Sequence, residues 1–293
     1  MTEAFEKQLD RAIREYEENG ATVLRGVLPR EQVQALGDAV DAMMEAGEHG
    51  NDDRSSGGRF FRDLYSTLTQ PYFAQFMRES GLAEIAGRIM RSDEVRFFYD
   101  QLLVKEPGTS ARTPWHQDLP YWPFRGEQVL STWVPMDAAT PENGVVTYVK
   151  GSHRWNKFFP SQPFSEGPGS PPPTEWTPDS PYDRPDGPGR TLADVRDHPE
   201  HYEFLSWNVE PGDILVHHPL VVHGAPGNEG MGNRRRALAL RWLGDDATWD
   251  NSRPNFIRMI CKRENLPFPD LEQGGKVSFC DPFFPLMWSR DAA

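Results

Sequence analysis

Thr113-Pro114-Trp115-His116-Gln117-Asp118 is the stretch on which the reading of this chain turns. Alternate side chains of an extended strand project to the same side, so His116 and Asp118 share a face. Joined by a second histidine from a later strand, such a pair forms a 2-His-1-carboxylate facial triad. That donor set suits Fe(II) and leaves coordination positions open for an organic cosubstrate and dioxygen. An H-x-D pair alone says little, because the spacing arises by chance in many chains. Its surroundings decide the matter.

Downstream, residues 212–224 read GDILVHHPLVVHG. His223 precedes the turn Gly224-Ala225-Pro226-Gly227 and so stands at a strand end, where a ligand can reach outward from a barrel mouth. His217 and His218 lie mid-segment and read as packed or hydrogen-bonded imidazoles; His153, in Gly151-Ser152-His153, reads as a turn residue. Arg235 opens the alternating strand Arg235-Arg236-Ala237-Leu238-Ala239-Leu240-Arg241-Trp242. An arginine buried in a barrel is costly unless it meets an anion. Its planar fork pairs with a carboxylate in bidentate fashion. A dicarboxylate that chelates iron at one end and meets arginine at the other fits this set, which points to 2-oxoglutarate.

The remaining pattern frames the site. Helical spacing covers Phe5 to Tyr16, Pro29 to about Glu45, Pro71 to Ser80 and Leu82 to Met90. A short strand is expected over Ala21 to Gly26 and a mobile, polar loop over Asn51 to Gly58. From Val95 the period becomes that of strands, through Val95 to Lys105, Pro114 to Leu119, Val129 to Met136 and Val145 to Val149. It resumes over Phe204 to Val209, Asp213 to His217, Leu220 to His223 and Arg235 to Leu243. Turn signals such as Pro141-Glu142-Asn143-Gly144 separate these runs, indicating a mainly β sandwich or jelly-roll barrel.

We expect one domain over 1–293. Residues 1–93 form a helical N-terminal support, 94–154 and 203–244 the barrel core, and 155–202 an insertion rich in Pro, Gly and Ser. Long insertions of this kind act as lids or carry no role, and its position between the two halves of the site favours a lid. Residues 245–293 are expected to pack back on the barrel or to form a homo-oligomer contact.

The formal charge of −13 opposes nucleic acids and anionic membrane faces, leaving small molecules as the expected partners. The two cysteines are too few for a disulfide framework. No apolar run approaches the ~20 residues that span a bilayer, and residues 1–19 lack a secretory pattern. A cytoplasmic location is expected.

Taken together, the motifs resemble the phytanoyl-CoA dioxygenase family of Fe(II)/2-oxoglutarate-dependent oxygenases. Carrying the resemblance are residues 100–108 (DQLLVKEPG), 113–118 (TPWHQD), 133–137 (WVPMD), 140–144 (TPENG), Gly151-Ser152-His153, Pro211-Gly212-Asp213, 218–224 (HPLVVHG) and 235–238 (RRAL). The resemblance implies a double-stranded β-helix with His116, Asp118 and His223 as ligands of Fe(II), and O2 as the oxidant. Arg235 would take the distal carboxylate of 2-oxoglutarate, with Trp133, Thr113 and Gln101 lining that pocket. Arg234 competes for the anion, because the loop after His223 is one residue longer than the common pattern. The family often carries a hydroxyl residue two positions beyond the distal histidine, where this chain has Ala225. Retention of Asp118 argues against halogenation.

Phe98, Tyr99, Tyr121, Trp122 and Trp155 flank the motifs and are candidates for walls of an apolar substrate cavity. Each could equally be core. Two rival functions share the fold: a cupin-like metal enzyme that does not use 2-oxoglutarate, and a non-catalytic small-molecule binding protein.

Overall fold

The computed structural model describes residues 2–159 and 191–292, apart from 48, 231 and 254. The chain opens with α1 (Glu3–Asn19), β1 (Ala21–Leu24) and α2 (Arg30–Ala46), followed by β2 (Asn51–Asp53) and β3 (Phe60–Leu64). Three helices follow, α3 (Ser66–Thr69), α4 (Pro71–Glu79) and α5 (Leu82–Met90). The strand-rich region holds β4 (Glu94–Lys105), β5 (Thr113–His116), β6 (Phe124–Arg125), β7 (Val129–Pro135) and β8 (Thr147–Val149). Beyond α6 (Leu192–Asp197) come β9 (Phe204–Leu205), β10 (Ile214–His217), β11 (His223–Ala225) and β12 (Arg235–Leu243). The chain closes with β13 (Thr248–Trp249), α7 (Ile257–Glu264) and β14 (Leu286–Ser289).

Two antiparallel sheets make the core. The larger runs β1-β10-β7-β12-β4-β3-β2, with β14 added to β4; the smaller runs β5-β11-β8-β9. This is a jelly-roll, the double-stranded β-helix anticipated above. On β12 the alternation separates two environments. Leu238, Leu240 and Trp242 join the core built with α1, α2, α4 and α5, while Ala237 and Ala239 pack with Trp133 inside the barrel. The same alternation places Arg235 and Arg241 on the barrel side, because side chains two apart share a face.

The helical N-terminal support covers the outer face of the large sheet. Gly20 ends α1 in the left-handed region (φ 82°), and a Cβ there would lie 2.5 Å from His153 Nδ1, so glycine is required at this join.

Several boundaries differ from the expectation. Residues 51–53, expected in a mobile loop, form β2 and pair with β3 in register Asn51 to Arg62. The C-terminal segment packs back on the barrel: β14 pairs with β4, and Ile257 and Ile260 of α7 are fully buried. The expected lid falls mostly on 160–190, outside the described residues. Among the described residues no helix is long and apolar enough to cross a membrane.

Candidate metal centre

β5 and β11 pair so that His116 stands opposite His223. The pairing brings their rings to 4.2 Å between centroids. Asp118 follows β5 at the start of a 3-10 turn, and its backbone N–H donates to Pro219 O at 2.9 Å. That bond ties the carboxylate to the segment leading into His223. Asp118 Oδ1 then lies 3.6 Å from His116 Nε2 and 3.7 Å from His223 Nε2. All three residues are buried, and their ligand atoms fall within 4.8 Å of one another.

The imidazoles are set for metal binding by what holds their other nitrogens. His116 Nδ1 is 2.8 Å from Pro114 O, and His223 Nδ1 is 3.0 Å from Val221 O. A backbone carbonyl only accepts, so each Nδ1 carries the proton and each Nε2 offers a lone pair to the centre. Burial, with His116 close by, holds the His223 pKa well below the usual histidine range, which keeps the ring neutral.

The second oxygen of Asp118 has a separate set of partners. Ser131 Oγ donates to Oδ2 at 2.9 Å, His217 Nε2 approaches it at 3.3 Å and Arg241 Nη2 at 3.9 Å. Burial works to raise the Asp118 pKa. Arg241, His116, His217 and His223 outweigh it and hold the carboxyl well below its ordinary value. An ionised carboxylate presented with one free oxygen, beside two neutral imidazoles, fits a divalent metal of the iron type.

A narrow cavity continues from this centre. It is lined by His116, His223, His217, Trp133, Gln101, Thr113, Arg241 and Arg235, among others. Arg235 is 2% exposed; its guanidinium donates to Leu103 O at 2.9 Å and lies over the Trp133 ring at 5.7 Å. Desolvation pushes its pKa down to about 10, still far above neutrality. Arg235 Nε and Trp133 Nε1 are buried donors with no hydrogen-bond acceptor. Buried donors left unpaired are costly, and a carboxylate lying between them would satisfy both. The set therefore fits one end of a dicarboxylate. Gly144 lines the same cavity in the left-handed region (φ 98°), where a Cβ would lie 3.1 Å from Pro226 O and 3.2 Å from Lys105 Cδ.

Arg234 points elsewhere: it is paired with Asp41 at 2.6 Å and Glu106 at 2.5 Å and does not line the cavity. Ala225 does line it, opposite Thr113 across the strand pair.

A larger cavity of about 820 Å³ adjoins the centre through Asp118 and Gln101. Tyr99, Tyr121 and Trp122 line it, together with Leu64, Phe256 and Met259. Phe98 does not; it is 1% exposed and packs edge-on against Phe124 and Trp122 in the core. Trp155 lies beside Tyr202 at 5.6 Å, away from this cavity. His218 is half-buried against Tyr16 and His153, as a structural imidazole. A second histidine–carboxylate group, His198, Glu200 and His201, is solvent-exposed.

Sequence reasoning missed Arg241, and it read His217 as a packed or hydrogen-bonded imidazole without naming Asp118 as its partner. Strand alternation from Arg235 was a signal that could have found Arg241.

The sequence matches a family model described as phytanoyl-CoA dioxygenase over residues 16–237. A probable phytanoyl-CoA dioxygenase of Caenorhabditis elegans is 23% identical over 250 residues, covering 79% of this chain and 74% of that protein. The peroxisomal phytanoyl-CoA dioxygenase of Homo sapiens is 22% identical over 242 residues, covering 75% of this chain and 64% of that protein. Among solved structures, the non-heme alpha ketoglutarate dependent carbocyclase SnoK from nogalamycin biosynthesis superposes with a TM-score of 0.69 at 22% identity, covering 95% of this chain and 96% of that one. At that identity the likeness shows the shared fold.

Proposed function

The chain belongs to the phytanoyl-CoA dioxygenase family, and on that premise we propose that it is a non-haem Fe(II)/2-oxoglutarate-dependent dioxygenase acting on a small organic molecule. Hydroxylation is the default outcome, with succinate and CO2 as coproducts. One observation carries this reading. Three converging donors fit a single metal ion, and two of them, His116 and His223, line the same cavity as a buried arginine whose Nε lacks a partner.

Iron with its cosubstrate supplies dioxygen activation and the oxidising power. The chain's own residues do the rest. His116, Asp118 and His223 would hold the metal; the carbonyls of Pro114 and Val221 fix which imidazole nitrogen faces it. Ser131, His217 and Arg241 restrain the far oxygen of Asp118, leaving Oδ1 as the oxygen that would face the metal. Arg235 and Trp133 orient the distal carboxylate of 2-oxoglutarate, and Thr113 offers the hydroxyl that Ala225 lacks. Tyr99, Tyr121 and Trp122 give the substrate an apolar wall and keep water from the reacting centre.

The test is turnover. Protein supplied with Fe(II), 2-oxoglutarate and a panel of apolar small molecules should release succinate only when iron and dioxygen are both present. Oxidised product without succinate would favour a cupin-like enzyme, and binding without any turnover a non-catalytic protein.

A further inference from the structure

Two faces of α7 meet different surroundings. Ile257, Ile260 and Cys261 pack into the core with Val277 and Phe283. Phe256, Met259 and Arg263, three and four residues apart, share another face, and all three line the 820 Å³ cavity beside the metal centre. Arg263 fixes that face against β3: it pairs with the buried Asp63 at 3.2 Å and donates to Leu64 O at 2.8 Å. Phe256 meets the Tyr99 ring edge-on at 4.9 Å and so continues the aromatic wall. The metal and cosubstrate residues lie within the family match over 16–237, whereas this wall lies beyond it.

Met259 differs from its two companions. The cavity runs from Asp118 and Tyr99, 4% and 5% exposed, to a mouth at the exposed Gly47, Gly50 and Asn51. Met259 is 55% exposed and takes no part in the core. Of the exposed large apolar side chains among the described residues, Met259, Phe279 and Leu286, it alone lines this cavity. The rest of the mouth, Gly47, His49, Gly50 and Asn51, offers no apolar side chain. An unbranched thioether at a rim adapts to the shape it meets. Its apolar area leaves water only when a ligand long enough to reach the mouth is bound.

Resting on the oxygenase reading, we propose that α7 is the substrate-selecting wall and that Met259 grips the outer end of the substrate. The preferred substrate is then an extended apolar molecule, about the size of four fused rings, that reaches from the metal centre to the mouth. A compact molecule seated beside Asp118 leaves Met259 untouched. Met259 is thus a specificity-determining residue whose removal costs the fold little.

Equilibrium dialysis tests this with two neutral probes, the four-ring progesterone and the two-ring 2-naphthamide, on protein loaded anaerobically with Fe(II) and 2-oxoglutarate. Met259→Ser should weaken progesterone by about five- to tenfold, the scale of one lost apolar contact, and change 2-naphthamide by less than about twofold. Met259→Leu should keep most of the progesterone affinity, a rescue that a merely structural role would not give. Phe279→Ser, exposed but outside the cavity, should change neither probe. No binding of progesterone, or equal effects of Met259→Ser on the two probes, would overturn the proposal. So would a progesterone loss of the same size in Phe279→Ser, which would mark adsorption to the surface. Failure of the unsubstituted protein to take up Fe(II) and 2-oxoglutarate would instead sink the oxygenase reading. The probes are therefore also dialysed against apo-protein, where the Met259-dependent preference stands or falls by itself.

Discussion

His217 Nε2 lies 3.3 Å from Asp118 Oδ2, the carboxylate oxygen turned away from the two histidines that face Oδ1. Burial lowers the His217 pKa, so its ring is neutral, and Tyr148 Oη lies 3.3 Å from its Nδ1. The arrangement makes His217 a donor to Asp118 through Nε2–H. The imidazole thus fixes which oxygen is free to bind metal.

It follows that His217→Ala should weaken Fe(II) affinity by roughly 10- to 100-fold, the usual cost of losing a partner that orients a ligand. His217→Gln, which can place an N–H near the same oxygen, should recover most of it. Competition titration against a metal-binding dye reads both. Equal losses in the two variants would mean that His217 only fills space.

Two neighbouring arginines are expected to differ in their effect on the cosubstrate. Arg235→Ala should raise the 2-oxoglutarate requirement by about 10- to 100-fold, corresponding to loss of a charge-assisted contact. Arg234→Ala removes ion pairs to Asp41 and Glu106 on the outside of the cavity, so it should leave that requirement unchanged. Succinate release at varied 2-oxoglutarate separates the two. The opposite pattern would contradict the register given for β12.

Stability should carry a pH signature from His218. Burial, with His153 and His217 nearby, lowers its folded pKa from 6.5 to about 3. Between those values the unfolded chain binds a proton that the folded one does not, so stability falls as pH falls through that window. From pH 6.5 to pH 5 this group alone should cost about 1.5 kcal/mol. His218→Asn keeps an acceptor for the Leu220 N–H but cannot protonate. Urea unfolding should show a smaller loss in that variant over the same interval; identical losses would remove His218 from the account.

The metal set was legible because its spacing is local: His116 and Asp118 share one segment, and His223 is marked by the turn that follows it. Arg235 was legible because an arginine opening a buried strand demands a partner. What supports them is not local. Ser131, His217 and Arg241 meet Asp118 from three strands, β7, β10 and β12, and only the closed barrel brings them together. β3 was missed because Phe60 to Leu64 does not alternate cleanly: Phe60, Phe61 and Asp63 are all buried, and the strand pairs through Phe60 to Lys105 and Leu64 to Gln101. Arg62, which lines the narrow cavity with Arg235, was lost with it. The aromatic wall was legible only in part. Tyr99, Tyr121 and Trp122 reach the cavity, whereas Phe98 beside Tyr99 turns into the core, because neighbours on a strand face opposite ways.

The most direct test is the visible spectrum of apo-protein under anaerobic conditions, with Fe(II) added first and 2-oxoglutarate second. A weak metal-to-ligand charge-transfer band should appear only when both are present, be lost in His116→Ala and Asp118→Ala, and need more 2-oxoglutarate in Arg235→Ala. Bound Fe(II) with no band at saturating 2-oxoglutarate would contradict the account.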